Sequence, residues 1–347
     1  MSLPGRTPRW QQWLTGQWAM PVPSLAARLL QPVSWLYGAL AAVHRWPFRC
    51  GLRTVLPAPR PTIVVGNIVA GGAGKTPAVM ALVRWLQAEG RVPGVVSRGH
   101  GRATDELIDV HATTAASAAG DEPLLIHRRT GVPVLVGRDR AAAAARLCAA
   151  HPEVDVIVAD DGLQHLALAR DIEVLVFDER GAGNGLLLPA GLLREPLPRT
   201  LGPRQLVLYN AARPSTPLQG HLGLRRLGGV VALQDWWRGG PLAVQPLSVL
   251  TGRNVLAAAG LARPNAFFDM LDAAGVAIRR LPLPDHHDFA SLPWSDDEAD
   301  VVVTEKDAVK LPPSRAGTTR VWVATLDFEP EPAFGDALRR LMNPTPP

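Results

Sequence analysis

The stretch Thr62–Thr76, T-I-V-V-G-N-I-V-A-G-G-A-G-K-T, decides how the rest of the chain is read. Thr62, Ile63, Val64 and Val65 predict a short buried strand, and the glycines after it leave the backbone free to fold tightly before a helix opens near Thr76. Gly71, Gly72 and Gly74, with Ala73 between them, can turn successive backbone N–H groups toward one anion. The helix adds the positive end of its dipole and Lys75 a full charge, while the Thr76 hydroxyl is left for Mg2+. Downstream, Pro77 is tolerated in the first helical turn, Val79, Leu82, Val83 and Leu86 fall at helical spacing, and Gly90 ends the run. A plain glycine-rich turn would need neither Lys75 nor Thr76, so the stretch reads as a phosphate cradle that includes Asn67.

The strict pattern G-x-x-x-x-G-K-[ST] asks for glycine where the chain has Val69. The G-G-x-G-K-T present is closer to the variant of MinD-like ATPases, although the lysine that opens that variant is here Ala70. With 347 residues, 47% hydrophobic and 19% charged, the chain is a folded protein of about two domains. A net charge of +5 is modest, and no recognised nucleic-acid-binding module accompanies it, which argues against nucleic acid as partner. Arginine outnumbers lysine, favouring bidentate contact with phosphate or carboxylate. Cys50 and Cys148 lie far apart without metal-ligand spacing, as expected of a reducing cytoplasm.

Residues 1–60 carry Trp10, Trp13, Trp18, Trp35 and Trp46, several arginines, and no Asp or Glu. That combination suits an anionic membrane surface, with tryptophans at headgroup level and arginines on lipid phosphates. Pro32 divides the run Leu29–Val43, and the helical part after it is too short for the ~20 residues of a spanning helix. The segment is expected to lie on the bilayer and to be retained, lacking a signal-type cleavage site.

After the cradle, short apolar strands alternate with helices, the signature of an α/β fold with a mostly parallel sheet and helices on both faces. Strands are expected at Val92–Val96, Leu107–Val110, Val132–Val136, Val154–Val158, Ile172–Phe177 and Leu206–Tyr209, with helices over Asp121–Arg129 and Arg138–Ala150. From Val230 onward a smaller α/β unit is expected, so the chain divides as 1–60, 61–229 and 230–347. Ligands of such sheets gather at the carboxyl ends of the strands. There A-D-D-G-L-Q-H places Asp160 and Asp161 side by side, a pair that calls for a cation such as Mg2+ or else forms a turn. In G-D-E-P, Asp121 taken alone suits a helix N-cap. The loop G-N-G-L-L-L-P-A-G-L-L-R-E, Gly183–Glu195, is long, apolar and functional in character, a lid or an acyl-chain contact.

These runs together resemble one family. P-V-S-W-L-Y-G (Pro32–Gly38), V-G-N-I-V-A-G-G-A-G-K-T-P, S-R-G-H-G-R, G-D-E-P, D-D-G-L-Q-H, the Gly183–Glu195 loop, A-G-L-A-R-P-N-A-F-F, D-H-H-D-F and T-E-K-D-A-V-K look like the signature runs of the tetraacyldisaccharide 4'-kinases, in the family's order from about residue 24 to 342. The resemblance implies a P-loop kinase that moves the ATP γ-phosphate to the 4'-hydroxyl of tetraacyldisaccharide 1-phosphate at the cytoplasmic face of the inner membrane. It makes Asp121 the base, reversing the cap reading, with His286 as partner, although His287 stands beside it; His286 is then expected to come from the smaller C-terminal domain, which closes over the nucleotide to bring it to Asp121. Lys75 and Thr76 would hold the phosphates and Mg2+, Asp160 and Asp161 the metal, and Arg140, Gln164, His165, Arg194 and Glu195 match further active-site positions. Thr304, Lys306 and Asp307 look weakly like a nucleobase-reading N-K-x-D, against a purely local role. The competing expectation is a membrane-cycling ATPase or GTPase switch that modifies no lipid. Acyl preference and oligomeric state are not legible.

Overall fold

The computed structural model describes residues 9–102, 104–240 and 242–343. In chain order the elements are α1 (Arg9–Trp18), α2 (Leu25–Arg49), β1 (Thr62–Gly66), α3 (Lys75–Ala88), β2 (Pro93–Ser97), β3 (Ile108–Asp109), α4 (Ala116–Ala119) and α5 (Asp121–Thr130). Then come β4 (Val134–Val136), α6 (Arg140–Ala150), β5 (Val156–Asp160), β6 (Ile172–Asp178), β7 (Gln205–Asn210), β8 (His221–Ala232) and α7 (Leu233–Arg238). The chain ends with β9 (Val255–Ala259), α8 (Pro264–Ala273), β10 (Ile278–Pro282), β11 (Asp300–Thr304), α9 (Glu305–Ala308), β12 (Arg320–Pro330) and α10 (Pro332–Met342).

By compactness the chain forms two units, one of residues 1–98, 132–224 and 329–347, the other of 99–131 and 225–328. This differs from a division in linear order, because the segment between β2 and β4, which carries Asp121, packs in one unit with 225–328, which carries His286, so that pair is not assembled across two domains.

In the first unit β1 is central, pairing in parallel with β5 on one side and β6 on the other. The ladder continues through β2 and β4 beyond β5, and through β7 beyond β6, every pair parallel. All five residues of β1 are buried, as expected of a strand with neighbours on both edges and cover on both faces. The parallel register places the carboxyl ends of β1 and β5 together, with Val65 opposite Asp160. α3 starts at Gly74, whose left-handed φ of 80° suits glycine, and buries Val79, Leu82, Val83 and Leu86.

In the second unit β10, β9, β11 and β12 pair in parallel, and Val255, Ala257, Phe268, Leu271 and Val302 form its core. α5 opens after Gly120, whose φ of 90° and 3.0 Å clearance from the Gly99 Cα leave no room for a side chain. Acidic residues in its first turn and His127, Arg128 and Arg129 in its last complement the helix dipole, and Gly131 in the left-handed conformation closes it.

The long N-terminal helix departs from expectation. α2 runs 25 residues straight through Pro32 and Pro47. Proline removes one helical hydrogen bond, but Pro32 and Arg28, the residue whose carbonyl loses its donor, are both exposed, so water can replace it. One face of α2 packs through buried Ala27 and Ser34, while Leu25, Leu29, Val33, Leu36, Leu40 and Val43 form a stripe on which every side chain is at least 50% exposed. Trp35 and Trp46 are exposed beside it. Among the described residues no helix is long and apolar enough to cross a membrane.

Candidate active site

The chemistry-bearing residues fall into two groups, one in each unit. In the first, β1 ends against Asn67, which is fully buried and whose side-chain amide donates to the Gly71 carbonyl at 3.3 Å. Lys75 Nζ donates to Asn67 Oδ1 at 3.4 Å and lies 3.6 Å from Asp161 Oδ1. Asp160, at the end of β5 and 2% exposed, accepts from the Ser97 hydroxyl at 2.9 Å. Asp161 follows with φ 50°, a left-handed conformation rare for a residue with a side chain. Among the described residues its buried Oδ1 has no hydrogen bond, only the Lys75 ammonium 3.6 Å away. Thr76 is buried in the first turn of α3. Two carboxylates and a hydroxyl are hard oxygen donors, the kind a magnesium ion takes.

Arg140 is 3% exposed and donates to the carbonyls of Gly137 and Arg138, both at 3.2 Å, and of Asp161 at 3.5 Å. The Arg140 backbone N–H donates to His165 Nε2 at 3.2 Å, so that nitrogen carries no proton. Burial, helped by the Arg140 charge, holds the His165 pKa below the ordinary histidine range, which agrees with a neutral acceptor. The 3.9 Å approach of His165 to Asp139 is then not an ion pair at neutral pH.

The Gly183–Glu195 loop is bonded to the cradle as a short strand would be. Ala70 N–H donates to the Leu192 carbonyl at 2.7 Å, Arg194 N–H donates to Ile68 at 2.8 Å, and Val69 bridges Leu193. Gln164 ties the two together, its amide donating to the Asn67 carbonyl at 3.1 Å and to Glu195 Oε1 at 2.8 Å. α2 holds the loop from its other side. Ser34 donates to the Leu187 carbonyl at 2.8 Å and accepts from Ala190 N–H, the Tyr37 hydroxyl donates to the Arg194 carbonyl, and Arg45 pairs with Glu195. The sequence reading set Arg45 with the other N-terminal arginines on lipid phosphates, whereas here it pairs with Glu195; Ser34 stood only inside the Pro32–Gly38 run. Both fall on the side of α2 away from the leucine stripe.

In the second unit Asp121 is the first residue of α5 and caps nothing. Its Oδ2 meets His286 Nδ1 at 2.9 Å and Lys310 Nζ at 3.1 Å. Burial would push the Asp121 carboxyl up, but the hydrogen bond from His286 and the Lys310 charge outweigh it and hold the group below the usual carboxylate range. Asp121 is therefore ionised at neutral pH and His286 Nδ1–H donates to it. Nε2 of the same ring then accepts from Lys306 at 3.4 Å. Burial pushes the Lys306 pKa down, but Glu122 and Asp285, at 3.3 and 3.7 Å, hold it above the ordinary lysine value. His286 has φ 59°, a strained backbone fixed by the bond of its N–H to Asp285. His287 points elsewhere, packing edge-on against Phe289 at 4.8 Å, so His286 is the partner of Asp121.

Thr304 and Asp307 are engaged locally. Thr304 caps α9 by accepting from Asp307 N–H, and its hydroxyl donates to Asp307 Oδ2 at 2.6 Å. The fully buried Asp307 also takes the Gly260 N–H and lies 3.6 Å from Lys310, which orients that lysine toward Asp121. Lys310, one helical turn beyond Lys306, carries no role in the sequence reading.

The family model for tetraacyldisaccharide-1-P 4'-kinase matches residues 26–343. The tetraacyldisaccharide 4'-kinase of Methylibium petroleiphilum is 54% identical over 99% of this chain and 98% of its own, and that of Leptothrix cholodnii 52% identical over 96% and 94%. The solved structure of LpxK from Aquifex aeolicus in complex with ATP superposes with a TM-score of 0.75 at 25% identity, covering 92% of this chain and 100% of that one. With a cradle and an acid–histidine pair in place, and matches running nearly end to end, the chain belongs to the tetraacyldisaccharide 4'-kinase family.

Proposed function

We propose that this chain transfers the γ-phosphoryl group of ATP to the 4'-hydroxyl of tetraacyldisaccharide 1-phosphate, the step of lipid A biosynthesis that yields lipid IVA. The observation that carries the reading is the buried Asp121 carboxylate, held by His286 and Lys310 and kept ionised by them.

Phosphoryl transfer asks a protein chiefly to position groups and offset charge. The triphosphate would lie on the backbone N–H groups of Gly71–Gly74, with Lys75 on its terminal oxygens. Thr76, Asp160 and Asp161 would hold Mg2+, which supplies charge neutralisation along the phosphates when bound. A sugar hydroxyl titrates far above neutral pH, so its proton must leave as the new O–P bond forms. The Asp121 carboxylate is the acceptor. His286 orients the carboxylate and keeps it ionised, as Lys310 does, and Lys306 fixes the imidazole in the tautomer that donates from Nδ1. A switch that merely cycled nucleotide would have no use for this arrangement.

The exposed stripe of α2 supports the membrane assignment, an anionic surface at the cytoplasmic face of the inner membrane where an acylated disaccharide resides. The loop that α2 holds reaches the cradle directly, so a lipid headgroup delivered along the helix arrives beside Arg194 and Glu195. The oligomeric state has no bearing on this reading.

Three outcomes are expected. Lys75→Ala abolishes detectable turnover with the circular dichroism spectrum unchanged. Asp121→Ala and His286→Ala each lower kcat about 10²-fold or more, and the double variant loses less than the product of the two, because the pair acts as one unit; kinetics of the three enzymes measure this. Placing glutamates at Leu29, Leu36 and Leu40 lowers sedimentation with anionic phosphatidylglycerol vesicles by about tenfold or more without lowering the melting temperature, since those side chains contact no core.

A further inference from the structure

Four consecutive carbonyls of the cradle are each held by a side chain. The Ala70 and Gly72 oxygens accept from the two terminal nitrogens of Arg180, at 3.4 and 3.1 Å. Gly71 accepts from Asn67 at 3.3 Å, and Ala73 from the buried Asn210 amide at 3.1 Å. Asn67 follows β1, Arg180 follows β6 and Asn210 ends β7, so three neighbouring strands converge on one loop.

Arg180 is itself fixed. Its Nε lies 3.0 and 3.1 Å from the two oxygens of Asp178, its Nη2 lies 2.8 Å from Oδ2, and its own N–H donates to Oδ1 at 3.0 Å. Asp178 is fully buried. The guanidinium also lies against Gly71, where a Cβ would stand 3.4 Å from Nη1.

A peptide unit is planar and trans, so the N–H of each residue points opposite to the carbonyl of the residue before it. Holding the carbonyls of residues 70–73 therefore also fixes the directions of the N–H groups of residues 71–74. Among the described residues none of those four N–H groups has a protein acceptor. We infer that Arg180, clamped by Asp178, and Asn210 are positioning residues that build the anion-binding face of the cradle without touching the nucleotide. This rests on the cradle binding phosphate, as proposed above, and goes beyond it. The cradle's geometry comes from a cation behind the loop as well as the lysine in it. The position where a MinD-like loop carries its first lysine, Ala70, is one whose carbonyl that cation grips.

The test is calorimetric binding of ATP to the full-length chain in detergent micelles, alongside steady-state kinetics and thermal melting. Arg180→Lys keeps the charge but cannot span Asp178 and two carbonyls, so it and Arg180→Ala are expected to weaken ATP binding about tenfold or more, with the KM for the lipid within about twofold of the parent. Asn210→Ala removes one neutral donor and is expected to weaken ATP binding about threefold or more; it carries the test if the Arg180 variants do not fold. Wild-type affinity in Arg180→Lys, or in Asn210→Ala, overturns the inference. A parent chain that binds ATP but labels no lipid sinks the phosphotransfer reading and leaves this one standing, whereas a parent chain that binds no ATP sinks both.

Discussion

Backbone N–H groups can be aimed at an anion only if the carbonyls on the far side of the same peptides find partners. That constraint organises the first unit. A parallel sheet brings the carboxyl ends of β1, β5, β6 and β7 to one edge, and from there come the asparagines and the arginine that hold the loop, the aspartates beside Lys75, and the tight bend itself. A glycine-rich loop without such anchors would pay in conformational entropy each time it closed on phosphate.

The second unit solves a different problem, that of keeping a buried carboxylate charged. An isolated Asp121 would titrate upward on burial, and the histidine and lysine beside it reverse the direction. Lys310 lies 3.6 Å from Asp307, whose carboxyl burial pushes up, and Lys306 stands beside Glu122 and Asp285, so both lysines sit among acidic side chains. In the role proposed for it, Asp121 would be a weak base with its pKa held down, which suits a reaction in which the proton leaves late and would keep the carboxylate unprotonated when substrate arrives.

The α/β class, the cradle and most strands were legible in the sequence, because short apolar runs rich in β-branched residues, such as Thr62–Val65 and Ile172–Phe177, read as buried strands. β8, H-L-G-L-R-R-L-G-G-V-V-A, was missed since glycines and arginines obscure its alternation, and α10 because Pro332 and Gly335 mask an amphipathic helix. Short motifs located Asp121 and His286. Arg45, Ser34, Arg180, Asn210 and Lys310 escaped because their meaning lies in partners fixed only by the fold, over separations such as the 137 residues between Asn210 and Ala73. The grouping of residues 99–131 with 225–328 escaped for the same reason. Nothing local marks a segment as belonging with a distant one.

The most direct test supplies the purified chain with γ-labelled ATP and tetraacyldisaccharide 1-phosphate in mixed micelles and follows where the label goes. The account predicts label on the disaccharide lipid in step with the appearance of ADP. Hydrolysis of ATP with all of the label released as free phosphate, and none on the lipid, would contradict it.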